Sequence, residues 1–96
     1  MSFEEITGVI SSHKDILRSR FKVKEIGVFG SCTRGEVRKK SDIDILVTFG
    51  RSVDFIEFIQ LENYLAGLLG AKVDLVTKDA LKPRIGKIIL GEVVYI

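Results

Sequence analysis

The sequence predicts an α/β or α+β domain, a sheet covered by helices, and three observations carry that reading. Helical and strand periodicities alternate along the chain in the order α-β-turn-β-α-β-α, with a last short strand after them. The 96 residues, 46% of them apolar, suffice for one small core. The run from Ile43 to Val47 is almost continuously apolar apart from Asp44, as in a strand buried on both faces. A single domain over 1–96 is expected. A domain this small buries about 60–65% of its unfolded surface, so a partner or a self-interface is expected to add stability.

Each element has its own local cause. Phe3, Ile6, Ile10, Ile16 and Leu17 recur at helical spacing and predict one amphipathic helix over 3–20, with Ser2 as its N-cap. The β-formers of 23–29 predict a strand that Gly30-Ser31 ends. Residues 41–48 form the second strand, and Gly50-Arg51-Ser52 a turn. Asp54 and Glu57 stand at capping-box spacing before Phe55, Phe58, Ile59, Leu61, Leu65, Leu68 and Leu69, a helix that Gly70 closes. Gly67 within it reads as a close-packing position. Residues 72–77 predict a third strand. Pro83 suits a helix start, Ile85, Ile88 and Ile89 follow at helical spacing, and Val93-Val94-Tyr95-Ile96 reads as an edge strand.

Composition narrows the class of function. A net charge of +2 is too small for a domain that binds nucleic-acid backbones directly. Arg34, Arg38, Lys39 and Lys40 are clustered, opposed only by Glu36; the lysine pair reads as a solvated loop, whereas Arg34, three residues after Ser31, is placed for a phosphate contact. The lone Cys32 excludes an intrachain disulfide and a multi-thiolate zinc site. The start of the chain shows no cationic leader, and no apolar run approaches the roughly 20 residues of a membrane span. A soluble, cytoplasmic protein without membrane contact is expected. His13 reads as a surface or boundary residue, Tyr64 as helix packing, and Tyr95 as an edge-strand residue or a partner contact.

The chemistry lies in three aspartates and a turn. Side chains alternate along a strand, so Asp42 and Asp44 share one face while Ile43 and Ile45 take the other. In a buried strand two adjacent carboxylates cost several kcal/mol unless a cation neutralises them. Oxygen-only ligands point to Mg²⁺, or Mn²⁺, rather than zinc. Asp74 interrupts another short apolar strand and is a third candidate ligand. Mg²⁺ usually shares its shell with substrate phosphates. Gly30-Ser31 supplies a place for them, because glycine lets backbone N–H groups approach an anion and serine adds a donor.

Gly30-Ser31, ten residues, then Asp42-Ile43-Asp44 resembles the signature of the DNA polymerase β-like nucleotidyltransferase superfamily. The longer strings Gly30-Ser31-Cys32-Thr33-Arg34-Gly35-Glu36 and Ser41-Asp42-Ile43-Asp44-Ile45-Leu46-Val47 are similar to its minimal nucleotidyltransferases, and the likeness runs through Val73-Asp74-Leu75-Val76 to the final residues. It implies the nucleotidyltransferase fold, a small mixed β-sheet flanked by helices. It also implies that Gly30 and Ser31 bind the β- and γ-phosphates of ATP, with Arg34 on the outer phosphates and Ser41 also at the nucleotide. Asp42 and Asp44 would bridge two metal ions, and Asp74 would ligate the catalytic ion and assist the nucleophile. Cys32 departs from the small or basic residue expected there.

A single domain of this size is not expected to carry an acceptor-selecting domain of its own. The resemblance implies a HEPN-domain ribonuclease toxin as partner and AMP transfer to a tyrosine of that toxin, so that the chain acts as its antitoxin. Two other readings stand beside it: an antitoxin that binds ATP and masks its toxin sterically, and a small-molecule nucleotidyltransferase completed by a helical subunit. A homo-oligomer is a further expectation.

Overall fold

A computed structural model describes residues 2–30 and 42–96 of the chain. Helix α1 (Phe3–Ser12) opens on a full capping box: the Ser2 hydroxyl accepts from the Glu5 N–H, and the Glu5 carboxylate accepts from the Ser2 N–H. The helix expected over 3–20 is interrupted at His13, whose φ of −111° and ψ of 14° leave the helical well, and α2 (Lys14–Arg20) begins beyond it. Side chains take over carbonyls at that point. The Ser12 hydroxyl donates to the Gly8 carbonyl at 2.8 Å, and His13 Nδ1 lies 2.8 Å from the Val9 carbonyl. The break turns Leu17 into the core and leaves Ile16 exposed. His13 sits half-buried at the boundary, edge-on to Tyr64, which packs on Phe21 with ring centroids 4.8 Å apart.

The sheet is mixed, with strands β1 (Val23–Phe29), β2 (Ile43–Phe49), β3 (Val73–Thr77) and β4 (Val94–Tyr95) in the order β3-β2-β1-β4. β1 is antiparallel to both β2 and β4, while β2 and β3 run parallel. The second strand starts later than expected, with Asp42 just before it. Helix α3 (Phe55–Leu69) has a second complete capping box, Asp54 with Glu57, and ends on Gly70 in the left-handed conformation at φ +61°. Gly67 packs against nothing within 4 Å, which corrects the close-packing reading; it lies on the exposed side of α3. A short 3-10 turn (Lys78–Ala80) precedes α4 (Pro83–Glu92), with Pro83 in its first turn.

One sheet face carries the core. Ile26, Val28, Ile43, Ile45, Val47, Val73 and Leu75 are buried there against Ile6, Ile10 and Leu17 of α1 and α2 and Leu61, Leu65 and Leu69 of α3. Removing Leu65 beyond its Cβ is expected to cost about 2–5 kcal/mol in Leu65→Ala, read from urea unfolding, because the completely buried leucine leaves a cavity.

The other face carries Phe29, Asp44, Leu46 and Asp74. Topology puts α4 on that side. The β2-α3-β3 crossover steps outward to one edge with α3 on the core face, whereas β3-α4-β4 runs back across the sheet to the opposite edge. Two right-handed crossovers in opposite directions require helices on opposite faces. The contact at Gly27 agrees: a Cβ there would stand 2.7 Å from a Val93 methyl, next to the end of α4.

Candidate active site

Backbone pairing assembles the site at one end of the sheet. The parallel register sets Asp44 beside Asp74, so both carboxylates leave the same face. The antiparallel register sets Phe29 opposite Asp44, which delivers Gly30 against the Asp44 side chain. Gly30 has φ +78°, and a Cβ at that position would overlap the Asp44 carboxylate and lie 3.2 Å from its Cγ. Glycine is needed here for its conformation and for the space it leaves.

Asp42 takes a different neighbour. The Ile43 N–H donates to the Lys72 carbonyl at 2.9 Å, holding the start of β2 beside Lys72, and Lys72 Nζ stands 3.9 Å from Asp42 Oδ2. With the Lys72 side chain largely exposed and Asp42 partly so, this ion pair adds little to stability. Among the described residues, no group of three or more acidic, cysteine or histidine side chains is arranged to hold a metal ion. The parallel register thus sets Asp44 beside Asp74, while Asp42 stands next to the Lys72 ammonium.

Burial also differs from the expectation. Asp42 and Asp44 are half-buried and Asp74 is exposed, because β3 is an edge strand of the sheet. The carboxylates thus retain contact with solvent, and their desolvation cost is smaller than a central buried strand would impose. Ser31, Arg34 and Ser41 lie outside the described residues, as do Cys32 and the basic cluster at 34–40. Lys72 was missed by sequence reasoning. Its signal is the Lys72-Val73-Asp74 alternation, which puts an ammonium and a carboxylate on one side of the same strand.

A cleft of about 480 Å³ lies at the far end of β1, lined by Arg18, Lys22, Val23, Lys24, Gly50 and Arg51. It contains no carboxylate from the candidate set. The candidate aspartates lie at the other end of the sheet, beside Gly30.

The geometry places a glycine turn against paired strand aspartates, and the family model of the nucleotidyltransferase domain matches residues 10–96. The chain belongs to the nucleotidyltransferase family. It is 52% identical over 96 residues to the protein adenylyltransferase MntA of Thermococcus cleftensis, covering 100% of this chain and 97% of that one. A solved minimal nucleotidyltransferase superposes with a TM-score of 0.84 at 34% identity, over 98% of this chain and 95% of the other. A toxin-antitoxin crystal structure with AMP-PNP superposes with a TM-score of 0.73 at 25% identity, over 99% of this chain and 72% of that chain. The nucleotidyltransferase is thus an enzyme with the α+β fold of the minimal members of its family.

Proposed function

We propose that this nucleotidyltransferase transfers AMP from ATP to a hydroxyl, a tyrosine, of a cognate HEPN ribonuclease toxin and so acts as a cytoplasmic antitoxin. The observation that carries the proposal is the Asp44–Asp74 pair with Gly30 set against it. Support comes from the adenylyltransferase relative and from the toxin-antitoxin neighbour that binds an ATP analogue.

The donor set fits magnesium, because every candidate ligand is a carboxylate oxygen. Asp42, Asp44 and Asp74 would hold two Mg²⁺ ions, with Mn²⁺ as a substitute, which when bound offset the charge of an in-line displacement at phosphorus. Gly30, Ser31, Arg34 and Ser41 bind and orient the triphosphate. Arg34 grips the outer phosphates through its planar fork. Asp74, exposed at the sheet edge, meets the acceptor hydroxyl and accepts its proton directly or through water. The new bond joins the acceptor oxygen to the α-phosphorus. The bond from that phosphorus to pyrophosphate breaks.

The test uses the purified chain, the protein encoded beside its gene, ATP and Mg²⁺. Mass spectrometry should find one or more AMP additions on the neighbour. Asp74→Asn should retain the complex and lose both the mass shift and the detoxification. If that variant still neutralises the neighbour and no AMP is found with the wild type, the chain works by steric masking.

A further inference from the structure

Helix α4 carries Ile85, Ile88, Ile89 and Leu90, yet its buried residue is Gly86, which packs on Leu81. Ile85 is 54% exposed, Ile88 62% and Leu90 41%. An amphipathic helix ordinarily turns its apolar stripe onto its own core. Here the glycine faces inward while Ile85 and Ile88 face out and Ile89 is half-buried, and Tyr95 of β4, paired with Gly27, is exposed on the same sheet face as α4. Lys82, Arg84 and Lys87 stand exposed among them, while Glu92 is the one acid of the helix.

We infer that the outer surface of α4, with Ile85 and Ile88 at its centre and Lys82, Arg84 and Lys87 at its rim, docks the acceptor protein through an apolar patch edged by carboxylates. The inference rests on the protein-adenylylation reading and adds to it the surface that selects the acceptor. Two arguments commit it to that occupant. Lys82, Arg84 and Lys87 outnumber the single acid Glu92 on this helix, so a partner whose contact rim carries carboxylates is complementary to it. In addition, α4 lies on the same sheet face as Asp44 and Asp74, whereas α1, α2 and α3 fill the other. A protein held on α4 is therefore on the side from which its hydroxyl must reach the aspartates.

The experiment titrates the intact chain against the protein encoded beside its gene, by calorimetry. Ile85→Ser with Ile88→Ser should weaken the complex by at least about tenfold, the scale of apolar anchors at an interface centre. Arg84→Glu with Lys87→Glu should weaken it as well and remove most of its salt dependence. Both variants should keep the wild-type melting curve and ATP affinity. The inference is overturned if the wild type fails to bind the neighbour, or if both variants bind it with unchanged affinity. It is equally overturned if Ile85→Ser with Ile88→Ser dissociates a homodimer, or releases the chain from anionic phosphatidylserine vesicles, while affinity for the neighbour holds. AMP addition at the wild-type rate by the isoleucine variant would reject the docking surface and leave the transferase reading standing. A complex lost in that variant, without AMP ever added by the wild type, would do the reverse.

Discussion

Asp44→Asn is expected to lower AMP transfer by about three orders of magnitude without unfolding the protein. Asp44 is the residue on which the site turns: it pairs with Asp74 across the parallel register, faces Phe29 across the antiparallel one, and has Gly30 against its carboxylate. Asparagine keeps the shape and removes the charge. If the carboxylate contributes several kcal/mol to stabilising the displacement, the conversion of about 1.4 kcal/mol per tenfold gives that loss. Stability should be unchanged or slightly raised, since a like charge next to Asp74 disappears. A time course of AMP addition by mass spectrometry, with a thermal melt on the same sample, checks both halves. Activity within tenfold of wild type would remove Asp44 from the proposed machinery.

Gly30→Ala is expected to damage both the fold and the reaction. The left-handed backbone at φ +78° costs a residue with a Cβ about 1–2 kcal/mol, and the added methyl also runs into the Asp44 carboxylate. An unfolding free energy lowered by about 1–3 kcal/mol, with AMP transfer reduced at least about a hundredfold, is the expected result. Gly67→Ala is the matched control. It lies inside α3 with nothing within 4 Å of the new methyl, so urea unfolding should show a gain of about 0.5–1 kcal/mol and transfer should be unchanged. Equal behaviour of the two variants would contradict the close approach at Gly30.

Much of the fold was legible because its causes are local. The span of β1, the N-cap at Ser2, the Asp54–Glu57 capping box, the Gly70 terminus and the Pro83 helix start each depend on residues within one or two turns of one another. The interruption at His13 was not legible from apolar spacing, because it arises where Ser12 and His13 side chains engage the carbonyls of Gly8 and Val9. Periodicity placed Ile16 and Leu17 on one helix; the break decides that only Leu17 is buried.

At the candidate site, the sequence by itself determined the chemical inventory: aspartates at alternating strand positions, a glycine-serine turn before them, and a third aspartate in a later strand. These are properties of residue type and spacing. Tertiary structure decided who stands beside whom. Strand order made β3 an edge, so Asp74 is exposed to solvent, and the pairing of β2 with β3 brought Lys72 beside Asp42. Crossover direction placed α4 on the aspartate side with Ile85 and Ile88 outward, because spacing shows which residues share a stripe but not whether their own chain covers it. Strand alternation is a local consequence of backbone geometry, whereas register, edge position and helix side come from contacts between segments far apart in the chain.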